Sequence, residues 1–157
     1  MKIIDLIDED FVNYRKPSLF LIFPFCTFKC EKECGLQCCQ NSSLAKQPII
    51  EISTEKLVQR YLDNPISESV VMGGMEPLDS FDDVLGFISI LRKYSDDPVI
   101  LYSGYYKSEI LDKIEQLQKF PNIIIKFGRF KPNEPHHIDP ILGVELASSN
   151  QYAEKIS

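Results

Sequence analysis

An α/β fold with a mainly parallel sheet and helical crossovers is predicted by three features of this chain. Short apolar runs recur at Ser18–Phe23, residues 69–72, Val99–Tyr102 and Ile123–Phe127. Segments with apolar residues at helical spacing lie between them. Finally, Cys26, Gly73 and Ser103 each follow a predicted strand, and ligands gather at the carboxyl ends of strands in such sheets.

The run SLFLIF at Ser18–Phe23 has a proline directly after it, as suits a strand buried on both faces. Residues 54–62 place Leu57, Val58, Tyr61 and Leu62 on one helical side and end before Asn64-Pro65. The next strand, residues 69–72, runs into Gly73-Gly74, where glycine permits a turn or a close approach. Ser80 is expected to cap a helix whose stripe is Phe81, Val84, Leu85, Ile88 and Leu91, with Asp83 three residues after the cap. The unit recurs with Val99–Tyr102 as strand and residues 108–120 as helix, carrying Ile110, Leu111, Ile114 and Leu117. Ile123–Phe127 adds a strand, and residues 131–140, with three prolines, read as a loop before a last apolar segment at 141–146.

The chain of 157 residues is 44% hydrophobic and 25% charged, the profile of one globular domain. Such a length buries roughly 68–70% of the unfolded surface, enough to hold a cofactor. The net charge of -6 argues against a general nucleic-acid binder. The acidic start MKIIDLIDED is unlike a signal peptide, and no apolar stretch approaches a membrane span. A cytoplasmic protein is expected.

All five cysteines lie between Cys26 and Cys39, so a tight thiol group points to a metal or redox site rather than a disulfide framework. Thiolates hold both iron–sulfur clusters and structural zinc, and ligand type alone leaves both open. Zinc sites commonly use two separated pairs, whereas here every cysteine is packed behind one strand. His136 and His137, adjacent in a proline-rich loop, read as exposed residues rather than ligands. Lys126 and Arg129, near a strand end, read equally as partners of a bound carboxylate or as solvated or substrate-facing charges.

FPFCTFKC, from Phe23 to Cys30, resembles the opening of the radical S-adenosylmethionine signature. That pattern has a third cysteine separated from CxxxC by two residues, a position held here by Glu33. Cys39-Gln40-Asn41 is similar to the Cys-aromatic-Asn ending found in activating proteins of glycyl-radical enzymes. The resemblance therefore implies Cys26, Cys30 and Cys39 as cluster ligands, leaving Cys34 and Cys38 as supporting residues, spare thiols or part of another site. Gly73-Gly74-Met75-Glu76-Pro77 resembles the GGEP motif of the same superfamily, with Met75 inserted. Ser103-Gly104-Tyr105, Gly128-Arg129-Phe130 and Ala147-Ser148-Ser149-Asn150-Gln151 resemble segments of the anaerobic ribonucleotide reductase activating proteins.

What this resemblance implies is a compact partial β/α barrel forming a single 4Fe-4S-binding domain over residues 1–157. S-adenosylmethionine would be held by Gly73, Gly74, Met75, Glu76 and Ser103. The expected reaction is electron transfer to S-adenosylmethionine and release of a 5'-deoxyadenosyl radical, chemistry that belongs to the cofactors. The expected partners are an anaerobic ribonucleotide reductase, which would receive a glycyl radical, and an electron donor such as flavodoxin or ferredoxin. Two rival expectations stand beside it: a radical enzyme acting on a small molecule or peptide, and a cysteine-ligated zinc-binding interaction module.

Overall fold

Four apolar runs too hydrophobic to face water on either side make the centre of the sheet. The computed structural model describes residues 1–157. Its strands are β1 (Lys2–Ile3), β2 (Asp5–Asp10), β3 (Ser18–Phe23), β4 (Ile50–Glu51), β5 (Ser69–Gly74), β6 (Val99–Tyr102), β7 (Ile123–Phe127), β8 (His137–Ile138), β9 (Glu145–Leu146) and β10 (Tyr152–Lys155). The helices are α1 (Lys29–Cys34), α2 (Thr54–Asp63), α3 (Phe81–Leu91) and α4 (Leu111–Leu117).

Six strands form one sheet in the order β10-β7-β6-β5-β3-β2. The central four run parallel, while β2 and β10 pair antiparallel at the two edges. The mostly parallel α/β sheet is thus present, with mixed edges and without closure. Two further antiparallel pairs, β1 with β4 and β8 with β9, stand apart from it.

Alternation along the strands divides the interior. Leu19, Leu21, Phe23, Val70, Met72, Val99, Leu101, Ile123, Ile125 and Phe127 meet α2, α3 and α4 on one face. Burying each such side chain contributes about 1.5–3 kcal/mol against chain entropy. The opposite face carries Val71, Ile100, Ile124 and Ala153 of β10 against Tyr14, Leu142 and Leu146. Loops, not helices, cover that second face, and they leave room beside it.

Sequence and structure differ at several element ends. Ser80 makes no capping hydrogen bond. A 3-10 turn at Pro77–Ser80 precedes α3, and its cap is Glu76, whose side chain accepts from the Leu78 amide. The helix expected at 108–120 is split into a 3-10 turn at Lys107–Glu109 and α4. Buried Ile110, at φ −134, makes the break between them. Strands β1, β2, β4, β8, β9 and β10 and helix α1 were not expected, and β8 lies within the segment read as a loop. No helix is long and apolar enough to cross a membrane.

Candidate metal centre

Register brings the cysteine loop and the glycine turn together. In the β3–β5 pairing Ile22 stands beside Gly73 and Phe23 beside Gly74. The ladder continues past both strand ends: the Met75 amide donates to the Phe23 carbonyl (3.1 Å) and the Glu76 amide to the Phe25 carbonyl (2.8 Å). Across the loop, Asn41 Nδ2 donates to the Gly74 carbonyl (2.7 Å). Gly74 has φ +85, and a Cβ there would stand 2.5 Å from Ile22 Cγ2, so this turn requires glycine.

A cavity of about 390 Å³ opens beside these elements on the sheet face without helices. Cys26, Cys30 and Cys39 line it together with Gly73, Gly74, Met75, Glu76 and Ser103. All eight residues singled out from the sequence therefore share one space. Cys34 and Cys38 are not in its wall; their Sγ atoms lie 2.8 Å from each other. Thr27, Gln40 and Asn41 line the cavity and are exposed, so it reaches the surface there.

The donor set fits an iron–sulfur cluster. Three half-buried thiols face one cavity, and thiolates are the usual cluster ligands. No three or more His, Cys, Asp and Glu side chains stand close enough to hold one metal ion. Burial pushes the Cys26 thiol up to about 11 and raises Cys30 and Cys39. Ligation by these residues therefore releases protons.

In the same cavity, Glu76 is only 5% exposed. Its Oε1 accepts from the Leu78 amide (3.1 Å) and its Oε2 from the Gly104 amide (2.8 Å). Burial outweighs these bonds and raises its carboxyl to about 7. Lys126 is also buried, and its Nζ donates to the carbonyls of Gly128 (3.0 Å) and Ser103 (3.3 Å). Desolvation lowers the Lys126 ammonium to about 8. Backbone groups, rather than each other, hold these two charged ends. Ser103 Oγ accepts from the Tyr105 amide (3.0 Å), and its hydroxyl is a donor toward the Glu76 carboxyl, which it helps to keep ionised.

The raised carboxyl has a measurable consequence in the metal-free chain. The folded state binds the Glu76 proton more tightly than the unfolded state, whose value is near the ordinary 4.5. The stability this gives is complete below about 4.5 and is lost as pH rises through about 7. The loss is at most about 3 kcal/mol. Thermal melting of apoprotein between pH 4.5 and 7 should show a falling midpoint that Glu76→Gln flattens; parallel curves for the two proteins would refute the assignment.

Arg129 is not available to a ligand. Its guanidinium bonds both oxygens of Glu109 (2.9 and 2.7 Å), and its Nε stands 3.2 Å from Glu33 Oε2 without hydrogen-bond alignment. Tyr106 stacks against Arg129 at 4.4 Å and donates to Glu33 (2.6 Å). The residue at the expected third cysteine position thus anchors α1 to this cluster of charges. The tail closes the same region: Asn150 Nδ2 donates to the Arg129 carbonyl (2.8 Å) and Gln151 Nε2 to the Gly128 carbonyl (3.3 Å). His136 is exposed beside Glu145, and His137 is half-buried in β8. Neither lines the cavity. Sequence reasoning quoted Asn41 and Gly104 within motifs without assigning them to the site, and it left Lys126 undecided; all three line the cavity. An isolated polar residue carries no periodic signal that would single it out.

A comparison with protein families matches residues 18–151 to the 4Fe-4S single cluster domain. No curated protein and no solved structure gives a significant match. Of the two metal readings left open by the cysteines, the family description names the cluster. The matched segment runs from the first residue of β3 through the cysteine loop and glycine turn to Gln151, and the chain belongs to the 4Fe-4S single cluster domain family.

Proposed function

We propose that this chain is a radical S-adenosylmethionine oxidoreductase whose substrate is a glycyl-radical enzyme of the anaerobic ribonucleotide reductase type. The observation that carries the reading is the shared cavity: Cys26, Cys30 and Cys39 face Gly73–Glu76 and Ser103 at the carboxyl ends of parallel strands.

Once bound, a 4Fe-4S cluster and S-adenosylmethionine would supply the chemistry, a one-electron reductive cleavage of the sulfonium. The residues of this chain orient and shield. Cys26, Cys30 and Cys39 would hold three irons, leaving the fourth for the nucleoside cofactor. The Glu76 carboxylate accepts from the cofactor's amino group, as do turn carbonyls brought close by Gly73 and Gly74. Ser103 would donate its hydroxyl proton to a cofactor oxygen in place of Glu76. Apolar wall residues Phe20, Ile22 and Phe130 keep water and other hydrogen donors away from the radical.

A glycine on another protein must reach this site through an open rim. The exposed positions Thr27, Gln40 and Asn41 support a protein substrate over an enclosed small one. In this reading the chain works in the cytoplasm, with flavodoxin or ferredoxin as electron donor, and its open sheet is a partial β/α barrel forming one domain.

The test is anaerobic incubation of reconstituted protein with reductant, S-adenosylmethionine and a candidate reductase, followed by electron paramagnetic resonance. The expected product is the doublet of a glycyl radical, absent when the acceptor glycine is changed to alanine. Cleavage to methionine and 5'-deoxyadenosine without a radical on any reductase would leave the initiation chemistry and transfer the substrate to a small molecule or peptide. Absence of cleavage by cluster-loaded protein would overturn the whole reading.

A further inference from the structure

We infer that Cys34 and Cys38 form a thiol–disulfide exchange site of their own, closing to a disulfide within the loop while the three cavity cysteines stay outside the reaction. Helix α1 ends at Cys34, and Gly35 follows at φ 69 with open space where a Cβ would stand. The Gly35 amide donates to the Glu31 carbonyl (2.9 Å), and the Cys38 amide donates to the Leu36 carbonyl (2.9 Å). These two turns fold the chain back on itself and leave the Sγ atoms of Cys34 and Cys38 2.8 Å apart. A disulfide bond is about 2.05 Å long, so closure needs little movement.

Cys39 is the next residue, yet it faces elsewhere. It lines the cavity, whereas Cys38 does not, and its amide points to Glu31 Oε1 (3.3 Å). Gly35, Leu36 and Gln37, between the paired thiols, are all exposed, which admits a small reagent. The co-reactant is a low-molecular-weight disulfide such as glutathione disulfide. One thiolate attacks it, forming a mixed disulfide and releasing one glutathione thiolate. The second thiolate then attacks the protein sulfur of that mixed disulfide, forming the Cys34–Cys38 bond and releasing the second glutathione. Two protein thiols are oxidised, one glutathione disulfide becomes two glutathione thiols, and the two protons lost by the protein thiols end on them.

Five thiols lie within one loop and its flanks, so iron can be captured by a wrong set. Closure withdraws two of them and leaves Cys26, Cys30 and Cys39. This consequence rests on the proposed ligand set; the exchange site itself rests on the loop geometry.

The experiment uses the cluster-loaded full chain under anaerobic conditions with glutathione disulfide, followed by acid quench, alkylation under denaturing conditions and tryptic mapping. Trypsin places Cys34, Cys38 and Cys39 in residues 33–46, apart from Cys26 and Cys30. The expected outcome is a fall from five alkylated thiols to three, a 33–46 peptide lacking two hydrogens with its one alkyl group on Cys39, and unchanged iron. Cys34→Ser should instead hold a persistent glutathione adduct on Cys38. Five alkylated thiols at every glutathione disulfide concentration, or a bridge that includes Cys39, would overturn the inference and leave the ligand set standing. Loss of iron in Cys34→Ser with retention in Cys39→Ser would overturn both.

Discussion

Serine in place of Cys26, Cys30 or Cys39 is expected to reduce iron and acid-labile sulfide after anaerobic reconstitution to background, while Cys34→Ser and Cys38→Ser keep wild-type content. Removing only an outer partner of a metal ligand costs about 10–100-fold in affinity, so removing a ligand should cost more. Serine keeps the size of the side chain but replaces a soft thiolate with a hydroxyl that stays protonated and binds iron poorly. The fold should survive, because none of the five cysteines is in the hydrophobic core. Circular dichroism of the variants makes that check, and iron with sulfide analysis makes the other. Retained iron in Cys39→Ser would move the third ligand to Cys34 or Cys38 and require the loop to refold on loading.

The second large effect separates the turn's architecture from its chemistry. Gly74→Val places a β-branched residue at φ +85 with its Cβ 2.5 Å from Ile22 Cγ2 and 3.3 Å from the Phe23 amide nitrogen. Backbone strain and overpacking each cost about 1–3 kcal/mol, together enough to lower the melting midpoint by roughly 10 °C in a chain of this size. Glu76→Ala removes a buried carboxylate that is costly to desolvate but leaves two amides unbonded, so stability should change little. Its cost should fall on S-adenosylmethionine, whose amino group would lose a charge-assisted bond worth about 1.5–3 kcal/mol, a weakening of about 10- to 100-fold. Equilibrium binding to reconstituted Glu76→Ala at wild-type cluster content is the measurement. Unchanged affinity would return residues 73–77 to the role of an ordinary turn.

The central strands were legible because each is buried on both faces and so reads as an uninterrupted apolar run. Helices α2, α3 and α4 were legible because each buries one stripe against the sheet. The edge strands were not. Strand β2 is DLIDED and β10 is YAEK, and half-exposed edges tolerate charges that hide any strand pattern. Helix α1 buries no residue, so it leaves no stripe to read; its position was masked by the cysteines within it. Ser80 misled because Glu76, four residues earlier, already turns the chain into the helix. The cavity wall was legible through its cysteines and glycines, whose chemistry is visible one residue at a time. Asn41, as the end of the Cys39-Gln40-Asn41 motif, and Lys126, as a candidate carboxylate partner, were in view, but what each one bonds became visible only with the fold.

That register also makes the cysteine loop and the glycine turn a single cooperative unit. The Glu76 amide is held by the Phe25 carbonyl, and the Gly74 carbonyl by the Asn41 side chain, so neither segment can fray without releasing bonds to the other. Iron and nucleoside would then bind to one shared block of order rather than to two separate pieces. In the proposed reading, whichever arrives first would lower the ordering entropy left for the second, and by linkage the gain in affinity would be the same in either sequence of addition.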